Sequence, residues 1–326
     1  MATQKNQHYV PQLYLRNFSL DGSSIGLYVK GKDIWTDNAP IKKQSCADYF
    51  YGKDLSIENK LAQLENSSSS IFYRLNNGDY NISEADKEIL YFYIMLQYGR
   101  TEMAARQLYH LSQDFQTKTN NTFPNFDCPT IKMGENLLNS VKASLTLASE
   151  LYDSITDLSF KILINKTQID FLTSDNPVCL YNQFCERIRK SSFAFGTVGT
   201  QIFFTLNPRL MLLVYDPKCY GVGKQNTSTV EIKKIQDVYS LNNIICINAN
   251  KVIYYKNRKN VRIKPYFVNP NRDRVALTHI QNTNNFLCSY LSNTPPLCEA
   301  QLSFVRFFSR YSTIKKYDYN MGPLLR

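Results

Sequence analysis

The stretch Ile89-Leu90-Tyr91-Phe92-Tyr93-Ile94-Met95-Leu96-Gln97-Tyr98 decides the fold class. It is apolar almost all the way round, and a helix of that kind is buried on most of its sides. Ser83 caps its start, with Asp86 three residues on in the capping-box position. This helix is therefore the central one, and the other elements have to cover it. Gln97 and Arg100, at its end, need a reason to be there, because buried polar groups must be paired. Arg100 either clamps a carboxylate of the chain, such as Glu65 or Asp175, or holds a substrate phosphate.

Working outward from this helix, residues 56–75 carry apolar positions at a helical period: Ile57, Leu61, Leu64, Ile71 and Leu75. Ser56 is its expected cap. Glu58 and Glu65 lie two turns apart, so both point to one side. They form either a solvated face or a pair able to hold a divalent metal. A further amphipathic helix is expected over residues 135–157, and another over 231–243. Residues 244–248 read equally as strand or as a continuation of that helix. Strands are expected at 25–30 and 34–36, joined by a tight turn, and at 160–164, 168–172, 196–208, 210–215 and 251–256. Trp35, the one tryptophan, reads as core. The sum is an α+β fold, a mixed or antiparallel sheet packed on a central, largely buried helical layer.

The N-terminus is unusually dense in special residues for a chain end. Pro11 fixes its own φ and suits the first turn of a helix, while pushing Val10 toward an extended shape. A short helix therefore begins near Pro11, with Leu13, Leu15 and Phe18 anchoring it in the core and Tyr14 partly wet. His8 sits just ahead of it. It is either a general acid or base, its ordinary pKa lying near neutrality, or a residue with one structural hydrogen bond.

The pattern His8-Tyr9-Val10-Pro11-Gln12-x-Tyr14-Leu15-Arg16-Asn17-Phe18 resembles the opening of the domain of unknown function 4238 family, found mainly in bacteria. Ile57-Glu58 with Glu65, Gln97-x-x-Arg100-Thr101, Thr173-Ser174-Asp175-Asn176-Pro177-Val178 and Leu241-Asn242 look similar as well. The resemblance runs from about residue 7 to 255. It implies one domain over 1–326, with residues 256–326 as a basic, aromatic extension packed on it. It departs at Phe203-Phe204-Thr205-Leu206-Asn207-Pro208, where the family form is Pro-Leu-Ser-Pro. No activity comes with the family name, so the resemblance carries a residue set and not a reaction.

With the resemblance in hand, the polar run after residue 172 reads as a site at a strand end. Asp175 would be a general base, a metal ligand or the partner that orients His8, and Ser174 and Asn176 would contact substrate. On the residues alone, Ser-Asp-Asn-Pro is ordinary turn chemistry. Gln12 and Arg16 join the substrate-contacting set from the opening motif.

Composition bounds the rest. With 326 residues, 43% hydrophobic and a net charge of +11, the chain is globular and its basic excess makes RNA or DNA a reasonable partner. No run approaches the roughly 20 apolar residues of a membrane span. The N-terminus lacks an apolar signal core, and the eight cysteines form no C-x-x-C pair, which reads as reduced thiols in cytoplasm. The densest positive stretch is Lys256, Arg258, Lys259, Arg262, Lys264, Arg272 and Arg274. Interleaved Tyr254, Tyr255, Tyr266 and Phe267 give it the look of a single-strand binding surface, or else of a lysine- and arginine-rich solvated face.

No Walker loop, dinucleotide fingerprint, G-x-S-x-G elbow or H-E-x-x-H is present. Two functions follow. One is a nuclease-like hydrolase, by analogy a bacterial defence or toxin effector, with His8, Asp175, Glu65 and Arg100 as its catalytic set and the basic stretch as its substrate surface. The other is a non-catalytic module that binds nucleic acid or a protein, in which the same polar residues form a buried structural network.

Overall fold

The capping box forms as the sequence requires. The Ser83 side chain accepts from the Asp86 N–H at 3.1 Å, and the Asp86 carboxylate accepts from the Ser83 N–H at 3.0 Å. The helix it starts runs over Glu84–Gly99 and buries Leu90, Tyr91, Tyr93, Ile94, Met95 and Gln97.

The computed structural model describes residues 5–122, 135–188, 194–264, 276–283, 286–293, 298–314, 316 and 324–326. In chain order the elements begin β1 (Asn6–His8), α1 (Gln12–Arg16), β2 (Ser24–Val29), β3 (Ile34–Pro40) and β4 (Cys46–Asp48). Four long helices follow: α2 (Ser56–Asn76), α3 (Glu84–Gly99), α4 (Glu102–Thr122) and α5 (Leu137–Glu150). Next come β5 (Ser159–Asn165), β6 (Thr173–Ser174), β7 (Val178–Tyr181), α6 (Gln183–Arg187), β8 (Gln201–Asn207) and β9 (Leu210–Tyr215). The chain continues through β10 (Tyr220–Val222), β11 (Thr229–Ile232), α7 (Ile235–Asn248) and β12 (Val252–Tyr255). It closes with β13 (Ala276–Thr283), β14 (Phe286–Asn293), β15 (Val305–Phe307) and α8 (Ser309–Ser312).

The main sheet has five strands in the order β11-β5-β9-β8-β7, all antiparallel except the parallel β11–β5 pair. A second, antiparallel sheet runs β3-β2-β12-β6. The fold is α+β with a mixed and an antiparallel sheet, as the central helix demands. Successive side chains in a strand face opposite ways, and the main sheet uses this to build two cores. Ile202, Phe204, Leu206, Leu212 and Val214 pack with α2 and α3. Phe203, Met211, Leu213 and Tyr215 pack with α7. Phe204 meets Tyr14, Phe72 and Tyr93 at centroid distances of 5.2, 6.3 and 5.9 Å.

Several local expectations are corrected. Ser56 does not cap α2 with its side chain; Asp54 does the work, accepting from the Ser56 N–H at 3.2 Å. Residues 229–232 form a strand, not the start of a helix, because Val230 and Ile232 bury alternately around exposed Glu231. The following helix starts at Ile235 and takes in residues 244–248. Residues 168–172 form no strand, since side chains satisfy their backbone in place of a ladder. Asn165 donates to the Ile169 carbonyl at 2.7 Å, Asn242 donates to that of Asp170 at 2.9 Å, and Asn242 accepts from the Leu172 N–H at 3.0 Å. The helix expected over 135–157 ends at Glu150 and tightens into a 3-10 turn over Leu151–Ile155. The long α4 was not expected from the sequence.

Candidate functional site

The N-terminal segment is tied to the end of α3 and, through Arg100, to the middle of α2, held by backbone pairing and side-chain latches. β1 pairs antiparallel with β4, setting His8 opposite Cys46. Gln7, wholly buried, accepts from the Tyr51 N–H at 2.7 Å and donates to the Gly52 carbonyl at 3.0 Å. Gln97 donates to the Tyr9 carbonyl at 3.1 Å. Tyr14, expected to be partly wet, is buried: its hydroxyl donates to the Thr205 carbonyl and pairs with Thr173 Oγ1, each at 2.6 Å. Leu13, expected in the core, is 57% exposed, while Leu15 and Phe18 are fully buried.

Arg100 is the hub. Its guanidinium donates to Glu65 at 2.6 Å, to the Tyr51 hydroxyl at 3.1 Å and to the His8 carbonyl at 2.9 Å. Of the two carboxylates the sequence offers it, Glu65 is the partner. Each of its three nitrogens thus has a protein partner, with the side chain only 6% exposed. Arg100 meets His8 through the main chain, not through the ring. The His8 ring is half-buried, and burial lowers its proton affinity. Its Nε2 has no hydrogen-bond partner among the described residues. Glu58 belongs to the same cluster. Burial raises its proton affinity, and the nearby Arg100 works against that. Among the described residues no group of three or more His, Cys, Asp or Glu side chains could hold a metal ion.

Asp175 does not join His8. One oxygen accepts from the Asn250 N–H at 2.9 Å; the other accepts from the Lys251 and Val252 N–H groups at 2.8 and 3.2 Å. It closes the turn that feeds β12, with burial pushing its pKa up to about 6. Ser174 and Asn176 also face inward. The Ser174 hydroxyl bonds the Asn176 backbone, and the Asn176 amide donates to the Asn248 carbonyl at 2.9 Å. Beside them lies a carboxylate the sequence did not single out. Glu102 receives Lys251 at 2.6 and 2.7 Å, Arg106 at 2.7 Å and the Tyr9 hydroxyl at 3.4 Å. The proposed catalytic four therefore divide: His8, Arg100 and Glu65 share one cluster, and Asp175 belongs to another.

The open surface is a groove along α1. Its first section, about 610 Å³, is apolar and lies between residues 11–17 and the second half of α2, floored by Tyr14, Tyr93 and Leu206. The second section, about 550 Å³, is polar, and it is lined by Arg16, Asn207, Arg209, Lys256, Asn257 and Asn260, among others. Asn17 and Asn76 line both sections, which therefore adjoin, and Asn207 donates to the Asn76 side chain at 2.7 Å at their boundary. Arg209 is paired with Asp170. Arg16 and Lys256 make no hydrogen bond or salt bridge among the described residues. Gln12 is half-buried and lines neither section.

The rest of the basic stretch divides by exposure. Arg258, Lys259, Arg262 and Lys264 are exposed. The aromatic partners expected beside them are not on the surface. Tyr254 and Tyr255 are buried, and Trp35, partly buried, carries the Arg258 guanidinium 3.5 Å from its ring centroid. Tyr266, Phe267, Arg272 and Arg274 lie outside the described residues.

Residues 6–259 match the family model described as protein of unknown function, DUF4238. The chain belongs to this family. No curated protein and no solved structure matches it. The motifs that define the resemblance now have physical content within the DUF4238 fold. His8, Tyr9 and Gln97 tie the first strand to α3, Arg100 binds that strand to α2, and Asp175 and Asn242 fix irregular backbone around the second sheet. Among the described residues, no helix is long and apolar enough to cross a membrane.

Proposed function

We propose that this DUF4238 chain is a non-catalytic nucleic-acid-binding module in which the His/Arg/Asp residues are structural. What carries this reading is the way those residues spend their bonds. Arg100 has three protein partners, and both oxygens of Asp175 are taken by three backbone N–H groups. A hydrolase built on them needs Asp175 beside the His8 ring and a guanidinium facing an open cleft. Among the described residues Asp175 bonds the backbone of residues 250–252 and Arg100 bonds Glu65, Tyr51 and His8, which supports the structural role.

Binding is supported instead by the cations left over. Arg16 and Lys256 line the polar section with no salt bridge among the described residues, although Lys256 acts electrostatically on Asp170 in the same lining, and Arg258, Lys259 and Arg262 are exposed nearby in the chain. On a chain of net charge +11, such cations suit phosphates. Six described cysteines stand outside any disulfide, which supports residence in a reducing compartment such as bacterial cytoplasm.

The test is fluorescence anisotropy of labelled DNA and RNA oligonucleotides with the full chain, across a salt series. Binding that weakens steeply with salt, and is lowered by Arg16→Ala with Lys256→Ala, is expected. The same samples are run on denaturing gels with and without divalent cations. Cleavage that disappears in His8→Ala would reverse the reading in favour of the hydrolase.

A further inference from the structure

The apolar section of the groove offers nothing to a phosphate, yet it adjoins the polar section at Asn17 and Asn76. Of the large apolar side chains that stand exposed, Leu13, Leu20 and Tyr73 all rim this one groove, at 57, 76 and 71% exposure. We propose that the apolar section accepts unpaired nucleobases, so that the module binds single strands with phosphates against Arg16 and Lys256 and bases beside Tyr73. The inference rests on the nucleic-acid reading and specifies the form of its ligand.

Charge fixes the orientation. In the apolar section the ionised groups are already paired: Glu65 with Arg100 at 2.6 Å, and Arg74 with Asp86 at 2.7 Å. The section therefore offers no free cation to a phosphate, and Glu65 stands at the end away from Arg16. Among the described residues that line the groove, the cations without a salt bridge, Arg16 and Lys256, lie in the polar section. A strand laid along the groove thus meets positive charge at one end and ring and aliphatic surface at the other.

The surface suits a base. Tyr73 presents a nearly free ring at the rim, and base–aromatic stacking is a common and sequence-tolerant mode of single-strand binding. Ser70 and Asn17 have side chains with no hydrogen bond among the described residues, and they can meet base edges. From Glu65 to Asn76, α2 supplies a wall roughly 16 Å long at 1.5 Å per residue, long enough for more than one stacked base. A duplex keeps its bases paired inside the helix and cannot fill such a groove without opening.

The experiment compares three labelled probes of roughly ten nucleotides, within the range of single-strand site sizes: oligothymidylate, an abasic strand of the same charge, and a duplex. On the wild-type chain, oligothymidylate should bind about tenfold more tightly than the abasic strand, the scale expected of stacking. Tyr73→Ala should remove most of that difference and leave the salt dependence unchanged. Arg16→Ala with Lys256→Ala should weaken ordinary and abasic strands alike. Equal binding of ordinary and abasic strands by the wild type would overturn the base site while leaving the nucleic-acid reading intact. Preferential binding of the duplex, or tighter binding of an acidic apolar peptide that displaces the strand, would also overturn it. Absence of binding to every oligonucleotide would instead remove the nucleic-acid reading itself.

Discussion

Asp175 and His8 carry opposite pH signatures, and both come from burial. The folded chain holds the Asp175 proton more tightly than the unfolded one, with a pKa pushed up to about 6 from 3.8. Its contribution to stability is therefore fully present below about pH 4 and is lost as pH rises through 6. His8 is displaced downward from 6.5. Its contribution is present above that value and is lost as pH falls through the lowered one. Urea unfolding of wild type and Asp175→Asn between pH 4 and 6 separates the first effect from every other titration. The wild-type-minus-variant difference should fall with rising pH by at most about 1.4 kcal/mol per unit, the limit for one proton. A flat difference would mean that Asp175 titrates as it does in the unfolded chain. In parallel, His8→Gln should lose less stability than wild type when the pH is lowered through 6.5. Equal losses would place the ring in water.

At the scale of elements, α3 and α5 approach too closely for any side chain at Gly99. A Cβ built there would lie 2.5 Å from that of Ala148 and 2.7 Å from the Ser144 carbonyl oxygen. Ser144 also donates to the Gly99 carbonyl at 2.7 Å. Gly99→Ala, which in an exposed helix would gain roughly 1 kcal/mol, should here destabilise by about 1–3 kcal/mol, the usual range for overpacking. Thermal denaturation reads the sign, and a raised midpoint would show that the two helices can part. The elements that the sequence specified well are those whose signals are local. The capping box at Ser83 and the all-round apolar face of α3 needed no tertiary information. β11 was missed because two buried residues, Val230 and Ile232, make too short an alternation to stand out beside the helix that follows. The segment over residues 168–172 was misread because Asn165 and Asn242 replace a strand ladder, and those side chains lie apart in sequence.

At the scale of the whole molecule, the candidate site was legible as a residue list and not as a geometry. The sequence offered Arg100 two carboxylates, and only packing of α2 beside α3 chooses Glu65. Asp175 looked free because the backbone N–H groups that claim it come from residues 250–252. The groove was not legible at all: its walls come from residues 11–17 and 65–76, and its charged end from residues 207–209 and 256–260. Leu13 was expected in the core for the same reason, since helical position alone does not say what stands opposite. Of the residues singled out from the sequence, Glu65 and Arg100 belong to a buried clamp, and Arg16 and Lys256 to an open groove. Changing the groove should therefore leave folding alone. Arg16→Ala with Lys256→Ala should keep the unfolding free energy within about 0.5 kcal/mol of wild type, as surface substitutions generally do. A cooperative loss of stability would show that these cations have partners in the fold.

The buried clamp is the central claim, and Arg100→Met tests it most directly. The substitution keeps bulk but strands the Glu65 carboxylate, the Tyr51 hydroxyl and the His8 carbonyl that the guanidinium now satisfies. Removing one partner of a buried ion pair costs about 3–5 kcal/mol, and the partial exposure of Glu65 puts this pair at the lower end. Equilibrium urea unfolding of the purified variant at neutral pH should show a loss of about 3 kcal/mol. Stability within about 0.5 kcal/mol of wild type would contradict the account, because the fold would then not need the guanidinium and Arg100 would be held for a ligand instead.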